Sequence, residues 1–184
     1  EEKEVAYVIE QATKAVNVGD TAAILIPSAQ KIIHFVNLAL SHAGKSAWGG
    51  ATNQYGKTDF GVMNAFLKVN GIKMQYVGNG YGNFSENDRR IILMTYHSAK
   101  GLDFDNVFIP FANNNLYISP DESMAKTLFM VAMTRARKNL YISHYGYPSD
   151  YLDAFKSNCS HIDISTSVAS QSTTNNNKNN PWGF

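Results

Sequence analysis

Two short apolar runs, residues 91–94 and 107–109, each fit one buried strand and are too short for a helix. Between them lies a segment that neither strand can continue: Thr95, Tyr96, His97, Ser98, Ala99, Lys100 and Gly101. Hydroxyls, an imidazole, an ammonium group and a glycine between two buried strands suggest a loop that contacts a polyanion. Such side chains donate to phosphate oxygens, and backbone N–H groups beside a glycine can approach them closely.

The remaining periodicity fits an α/β domain. Val5, Val8, Ile9, Ala12 and Val16 share one helical face, and Gly19 follows as a stop. Residues 22–26 are an unbroken apolar run, as a buried strand requires. Ser28 is placed to cap a helix whose stripe is Ile32, Phe35, Val36, Ala39, Leu40 and Ala43, with Gly44 as its end. Residues 48–57, rich in Gly, Asn and Thr, predict a loop. A helix over 58–70 should turn Val62, Met63, Phe66 and Leu67 inward, and residues 72–77 alternate as a strand. Ser119-Pro120-Asp121-Glu122 reads as a capping box with proline at the first helical position. The helix it opens presents Met124, Leu128 and Val131, with residues 140–142 returning as a strand. At 100° per residue, Arg135 continues that stripe while Arg137 points to nearly the opposite side. An arginine on a packed face needs an anionic partner. Helical geometry alone leaves open whether this is a structural carboxylate or a bound ligand.

Two glycine-rich strings imitate nucleotide motifs and fail on spacing. Gly44-Lys45-Ser46 lacks the earlier glycine of a P-loop, since position 39 is Ala39, and it follows a helix rather than a strand. The string at 78–82 has Asn83 where a third glycine would fall, so it reads as a turn. A net charge of +1 gives no global electrostatic argument for nucleic acid, so any footprint must be local. Cys159 is the single cysteine, which excludes an internal disulfide and points to a reducing, cytoplasmic setting. No apolar run approaches the ~20 residues of a membrane span. His34, His42, His97, His144 and His161 show no ligand spacing, so a metal-dependent nuclease is disfavoured and no metal site is expected. From Ser165 onward the chain is mostly Ser, Thr, Asn and Gln, too polar to order itself, before ending in two aromatics within residues 181–184; these read first as a simple end or one that folds back, and alternatively as a short peptide that docks on a partner.

The string LMTYHSAKGLDF at 93–104 resembles motif V of the UvrD/Rep type of superfamily 1 DNA helicases, and LFMVAMTRARKNLYIS at 128–143 resembles motif VI. The resemblance covers roughly residues 1–145. It implies a three-layer RecA-like domain of the P-loop NTPase type, with a mainly parallel sheet flanked by helices and no P-loop of its own. Residues 1–145 would be the second motor domain, 146–164 an extension of it, and 165–184 a polar tail. Only residues 41–90 occupy the interval where family members insert a large subdomain, so that insertion is expected to be missing. The opening EEKEV reads as a piece of a longer chain, whose N-terminal RecA-like domain would supply the P-loop and the ligands of Mg2+. Motif IV is not found, and its arginine would lie just before Glu1.

The same resemblance implies roles for individual residues. Arg135 matches the motif VI arginine that reaches across the cleft to the γ-phosphate of ATP as an arginine finger. Gly101 and Asp103 would join it on the nucleotide side, although Asp103 stands where glutamate is usual. Thr95, His97, Ser98 and Lys100 would lie along single-stranded DNA, with Lys100 and Gly101 near the junction of the two sites. The expected whole is an ATP-dependent DNA helicase, its HSAKG wording nearer the 3′→5′ members. This chain by itself is not expected to hydrolyse ATP. The alternative is a catalytically silent module that binds nucleic acid or serves as a scaffold.

Overall fold

The computed structural model describes residues 1–87 and 89–165, so the tail beyond Ser165 lies outside the described residues. The elements run α1 (Glu2–Asn17), β1 (Ala22–Ile26), α2 (Ala29–His42), α3 (Phe60–Val69), β2 (Met74–Tyr76), β3 (Ile91–Thr95), β4 (Phe104–Ile109), α4 (Glu122–Met133) and β5 (Ala136–Ile142). Two short 3-10 turns follow, at Asp150–Leu152 and Lys156–Asn158. The strands form one sheet in the order β2-β3-β1-β4-β5, and every pairing is parallel.

Because all strands run one way, the sheet has an edge of strand starts and an edge of strand ends. Ile26 lies beside Thr95 at the ends, and Ala22 lies beside Asn106 near the starts. Alternation along β1 sends Ala22, Ile24 and Ile26 to one face and Ala23 and Leu25 to the other. The first face packs under α1, α2 and α3, with Phe35, Val36 and Leu67 fully buried. The second meets α4 and the chain after β3, around Tyr96, Ala99, Phe104 and Phe129. The result is the expected three-layer arrangement. Burial on both faces is why β1 and β3 read as unbroken apolar runs.

The two outer strands are protected differently. On α3, the Asn64 amide accepts from Tyr76 N–H at 2.7 Å and donates to Tyr76 carbonyl at 2.9 Å, satisfying the outward backbone of β2. β5 is largely exposed and carries two consecutive charges, Arg137 and Lys138, which suit an edge strand that should not pair with another chain.

Ser28 caps α2 by accepting from Lys31 N–H at 3.3 Å, as its position predicts. Three expectations need correction. The cap of α4 is Asp121, which accepts from Met124 N–H at 2.7 Å; Ser119 and Pro120 lie before the helix, and Ser119 Oγ accepts from Asp121 N–H. The buried stripe of α4 is Ala125, Phe129 and Ala132, while Met124 is exposed. Leu128 is half-buried and packs beside this stripe, so of the expected residues it is Met124 that the helix turns away from the core. On α3, Phe60 turns inward with Met63 and Leu67, and Val62 faces outward. Within the predicted loop over 48–57, Trp48 is buried, and its backbone N–H donates to Asn37 Oδ1 at 2.9 Å.

Candidate nucleotide and nucleic-acid site

The segment from Thr95 to Asp103 connects two strands that are not neighbours, because β1 lies between β3 and β4. It starts at the edge of strand ends and must return to the edge of strand starts, where Phe104 opens β4. Residues 96–101 make this return in successive turns, with Ala99 N–H bonded to Thr95 carbonyl and Leu102 N–H bonded to Ala99 carbonyl. Tyr96 and Ala99 are fully buried beneath it. Gly101 sits at φ +84°, where the chain reverses.

At the strand-end edge, the two predicted hydroxyls engage each other. Thr95 Oγ1 and Ser98 Oγ are 2.9 Å apart, and Thr95 Oγ1 accepts Ser98 N–H at 3.1 Å. Ser98 also meets the Tyr76 hydroxyl, to which Asn79 Nδ2 donates at 3.1 Å. Ser98 therefore fixes the turn. His97 and Lys100 flank it with exposed side chains. The Tyr96 hydroxyl is buried without a hydrogen-bond partner, and burial pushes it far above the usual tyrosine range.

Arg135 and Asp103 come together at the opposite edge. Arg135 does not continue α4: the helix ends at Met133, Thr134 is its C-cap, and Arg135 occupies the turn into β5. Its side chain folds back over the helix terminus. Nε donates to Val131 carbonyl at 3.0 Å, one of the carbonyls a helix end leaves without an intrahelical partner. One terminal nitrogen, Nη1, contacts Leu102 carbonyl at 3.4 Å and Asp103 Oδ1 at 3.2 Å; the other, Nη2, donates to Thr134 Oγ1 at 3.2 Å. Backbone reinforces the junction, since Phe104 N–H donates to Arg135 carbonyl at 2.8 Å. The arginine side chain is 22% exposed and the aspartate 50%, so the pair opens to solvent on its carboxylate side.

A polar network that the sequence does not announce lies along the same edge. Asp105 Oδ2 accepts from Thr21 N–H at 3.0 Å and from Thr21 Oγ1 at 3.1 Å, and Thr21 Oγ1 accepts Asp105 N–H at 2.8 Å. Lys138 Nζ reaches Asp20 at 2.6 Å and Asp105 at 3.4 Å, and Arg137 pairs with Glu86 at 2.7 Å. The Thr21 backbone N–H is the chief cause that holds the Asp105 carboxyl below the usual range. For Asp20 the chief cause is the Lys138 ammonium. Their only sequence signal is position: polar residues immediately before or at the start of an apolar run. Among the described residues, no group of three His, Cys, Asp or Glu side chains could hold a metal ion, and no helix is long and apolar enough to cross a membrane.

Comparison with known proteins agrees with this architecture. The chain resembles the C-terminal domain of a possible DNA helicase from Lactobacillus plantarum WCFS1, with a TM-score of 0.52 at 20% identity, covering 81% of this chain and 71% of that one. A probable DNA helicase II homolog from Rickettsia conorii is 41% identical over 63 residues, 29% of this chain. A putative ATP-dependent DNA helicase from Acanthamoeba polyphaga mimivirus is 33% identical over 101 residues, 48% of this chain. The aligned stretch is a small part of these relatives, 10% and 14% of their lengths. Residues 52–147 match the UvrD-like helicase C-terminal domain, a span from the loop before α3 to just beyond β5 that holds both the 95–103 segment and Arg135. On that match, this chain belongs to the family of UvrD-like helicase C-terminal domains.

Proposed function

We propose that the chain is the second motor domain of an ATP-dependent DNA helicase. In this reading, Arg135 is the arginine finger, Gly101 and Asp103 stand beside it at the nucleotide, and Thr95, His97, Ser98 and Lys100 form part of a track for single-stranded DNA. ATP would be held with Mg2+ chiefly by an N-terminal RecA-like domain of the same protein. The observation that carries the reading is the meeting of Arg135 with Leu102 and Asp103, at one end of the segment whose other end is Thr95. A nucleotide at Arg135 and a strand at His97 would thus touch the same short stretch of chain.

The chemistry suits the role. A guanidinium fork matches charge spread over the equatorial oxygens of a transferring phosphoryl group, and such fingers contribute about 10³–10⁵ in rate. Here the fork is pre-oriented by carbonyls of Val131 and Leu102, so little rotamer freedom remains to be lost on engagement. At the other end, His97 and Lys100 are exposed donors, while Thr95 and Ser98 shape the turn that presents them.

The test is ATP hydrolysis by the full-length protein, with and without single-stranded DNA, for wild type and Arg135→Ala. DNA-stimulated turnover should fall by about 10³ or more in the variant. Turnover unaffected by DNA in the wild type, or equal in the two proteins, would refute the motor reading. Arg135 would then be a structural clamp in a silent nucleic-acid-binding module.

A further inference from the structure

The donors of Arg135 are nearly all engaged. A guanidinium offers five N–H groups. Nε–H goes to Val131 carbonyl, the two Nη1 hydrogens face Leu102 carbonyl and Asp103 Oδ1, and one Nη2 hydrogen goes to Thr134 Oγ1. One N–H is left. A phosphate that binds an arginine through two parallel hydrogen bonds needs two. Three of the four partners are neutral oxygens from the α4 terminus and the preceding segment, and these orient the group. The fourth, Asp103, is an anion on the solvent-open side of the pair, half exposed and held in this cluster by Nη1 at 3.2 Å. It is the partner that an incoming phosphate would displace.

We propose that Asp103 is an exchangeable stand-in for phosphate: it occupies the Arg135 guanidinium while nucleotide is absent and yields it to the terminal phosphate of a nucleoside triphosphate. The proposal rests on the reading of Arg135 as the γ-phosphate contact. It makes Asp103 a positioning residue that acts through Arg135. The carboxylate has little hold elsewhere, because the neighbouring cations are committed: Arg137 to Glu86, and Lys138 to Asp20 and Asp105. Once displaced it is free to turn towards the rest of the nucleotide. Any triphosphate must therefore compete with it. A diphosphate, which lacks the group that Arg135 meets, does not.

The experiment measures binding of a non-hydrolysable ATP analogue and of ADP to the full-length protein, for wild type, Asp103→Asn, Arg135→Ala and the double variant. Removing the competing charge while keeping shape should raise the preference for the ATP analogue over ADP by about two- to five-fold, the worth of an exposed ion pair, whatever Asp103 contributes to both nucleotides. In the Arg135→Ala background the same substitution should leave that preference unchanged. If Asp103→Asn weakens both nucleotides alike, Asp103 binds the shared part of the nucleotide and the exchange is refuted. If neither affinity changes, the pair is structural and the exchange is refuted as well. Failure of the underlying reading has a separate signature: Arg135→Ala would then keep wild-type analogue affinity and wild-type turnover.

Discussion

Gly78→Ala probes whether the turn after β2 must leave room for the Ser98 hydroxyl. A Cβ built on Gly78 would stand 2.7 Å from Ser98 Oγ and 3.0 Å from both Ser98 Cβ and the Tyr76 hydroxyl oxygen. The backbone there has φ +147°, which residues with side chains rarely adopt. Strained backbone of this kind costs about 1–3 kcal/mol. The new methyl adds overpacking of similar size, about 1–3 kcal/mol, unless Ser98 rotates away and gives up its hydrogen bond to Thr95, worth about 0.5–1.5 kcal/mol. The smaller of those two costs is the one the protein will take, so the expected destabilisation is about 2–4 kcal/mol. Urea unfolding of wild type, Gly78→Ala, Ser98→Ala and the double variant would separate the contributions. Truncating Ser98 opens the space, so the double variant should recover about 1 kcal/mol relative to additivity, leaving the backbone cost in place. A single variant within about 0.5 kcal/mol of wild type, or strict additivity, would refute the packing argument.

Two further predictions concern pH, and their signs are opposite. Asp105 has its carboxyl pKa depressed, chiefly by the Thr21 backbone N–H, so its contribution is present above the ordinary value of 3.8 and is lost as pH falls through the lower folded value. Asp105→Asn should therefore cost about 1 kcal/mol in urea unfolding at pH 7, with the difference closing below about pH 3.8; a constant gap would exclude ionisation as its source. Glu4 is buried on α1, where its Oε1 accepts from Phe111 N–H at 2.7 Å and Ser143 Oγ at 2.8 Å, while its Oε2 is buried without a partner. Burial raises its pKa above the ordinary 4.5, so its favourable contribution is present at low pH and is lost as pH rises through the folded value. Glu4→Gln should raise the thermal midpoint at pH 8 and leave it unchanged near pH 4. A variant less stable than wild type at pH 8 would show that the carboxylate is the form the site requires.

What could be read in advance follows from how locally each feature is encoded. β1 and β3 are legible because strands buried on both faces must be apolar throughout, and 22–26 and 91–94 satisfy that without exception; of β4 only the end, 107–109, could be read, because Asp105 and Asn106 interrupt its start at Phe104. α1 and α2 were equally open, each with a complete stripe. α4 was not. Its buried face is Ala125, Phe129 and Ala132 with Leu128 packed beside it, and the small alanines give too weak a hydrophobic signal to mark that face over one drawn through Met124. Arg135 could be singled out, but for a reason the structure corrects: it is anchored by carbonyls at a helix terminus, beyond the reach of a helical wheel. Its contact with Asp103 joins residues of two separate motifs, and no spacing rule links them. The Thr21–Asp105 and Lys138–Asp20 contacts are invisible for the same reason, since they exist only once β1, β4 and β5 are side by side.

The connection from β3 to β4 has one further consequence, which comes from its length. It must run back along β1, whose five residues at ~3.3 Å each make the sheet about 16 Å deep there. Residues 96–103 could reach at most about 26–29 Å if fully extended, and most of them are spent in turns. The strap is therefore taut. Tyr96 and Ala99, sunk into the core along its course, pin it in place. Asp103 and His97 are thus held a fixed reach apart, near the two ends of one strap whose middle is fastened to the core.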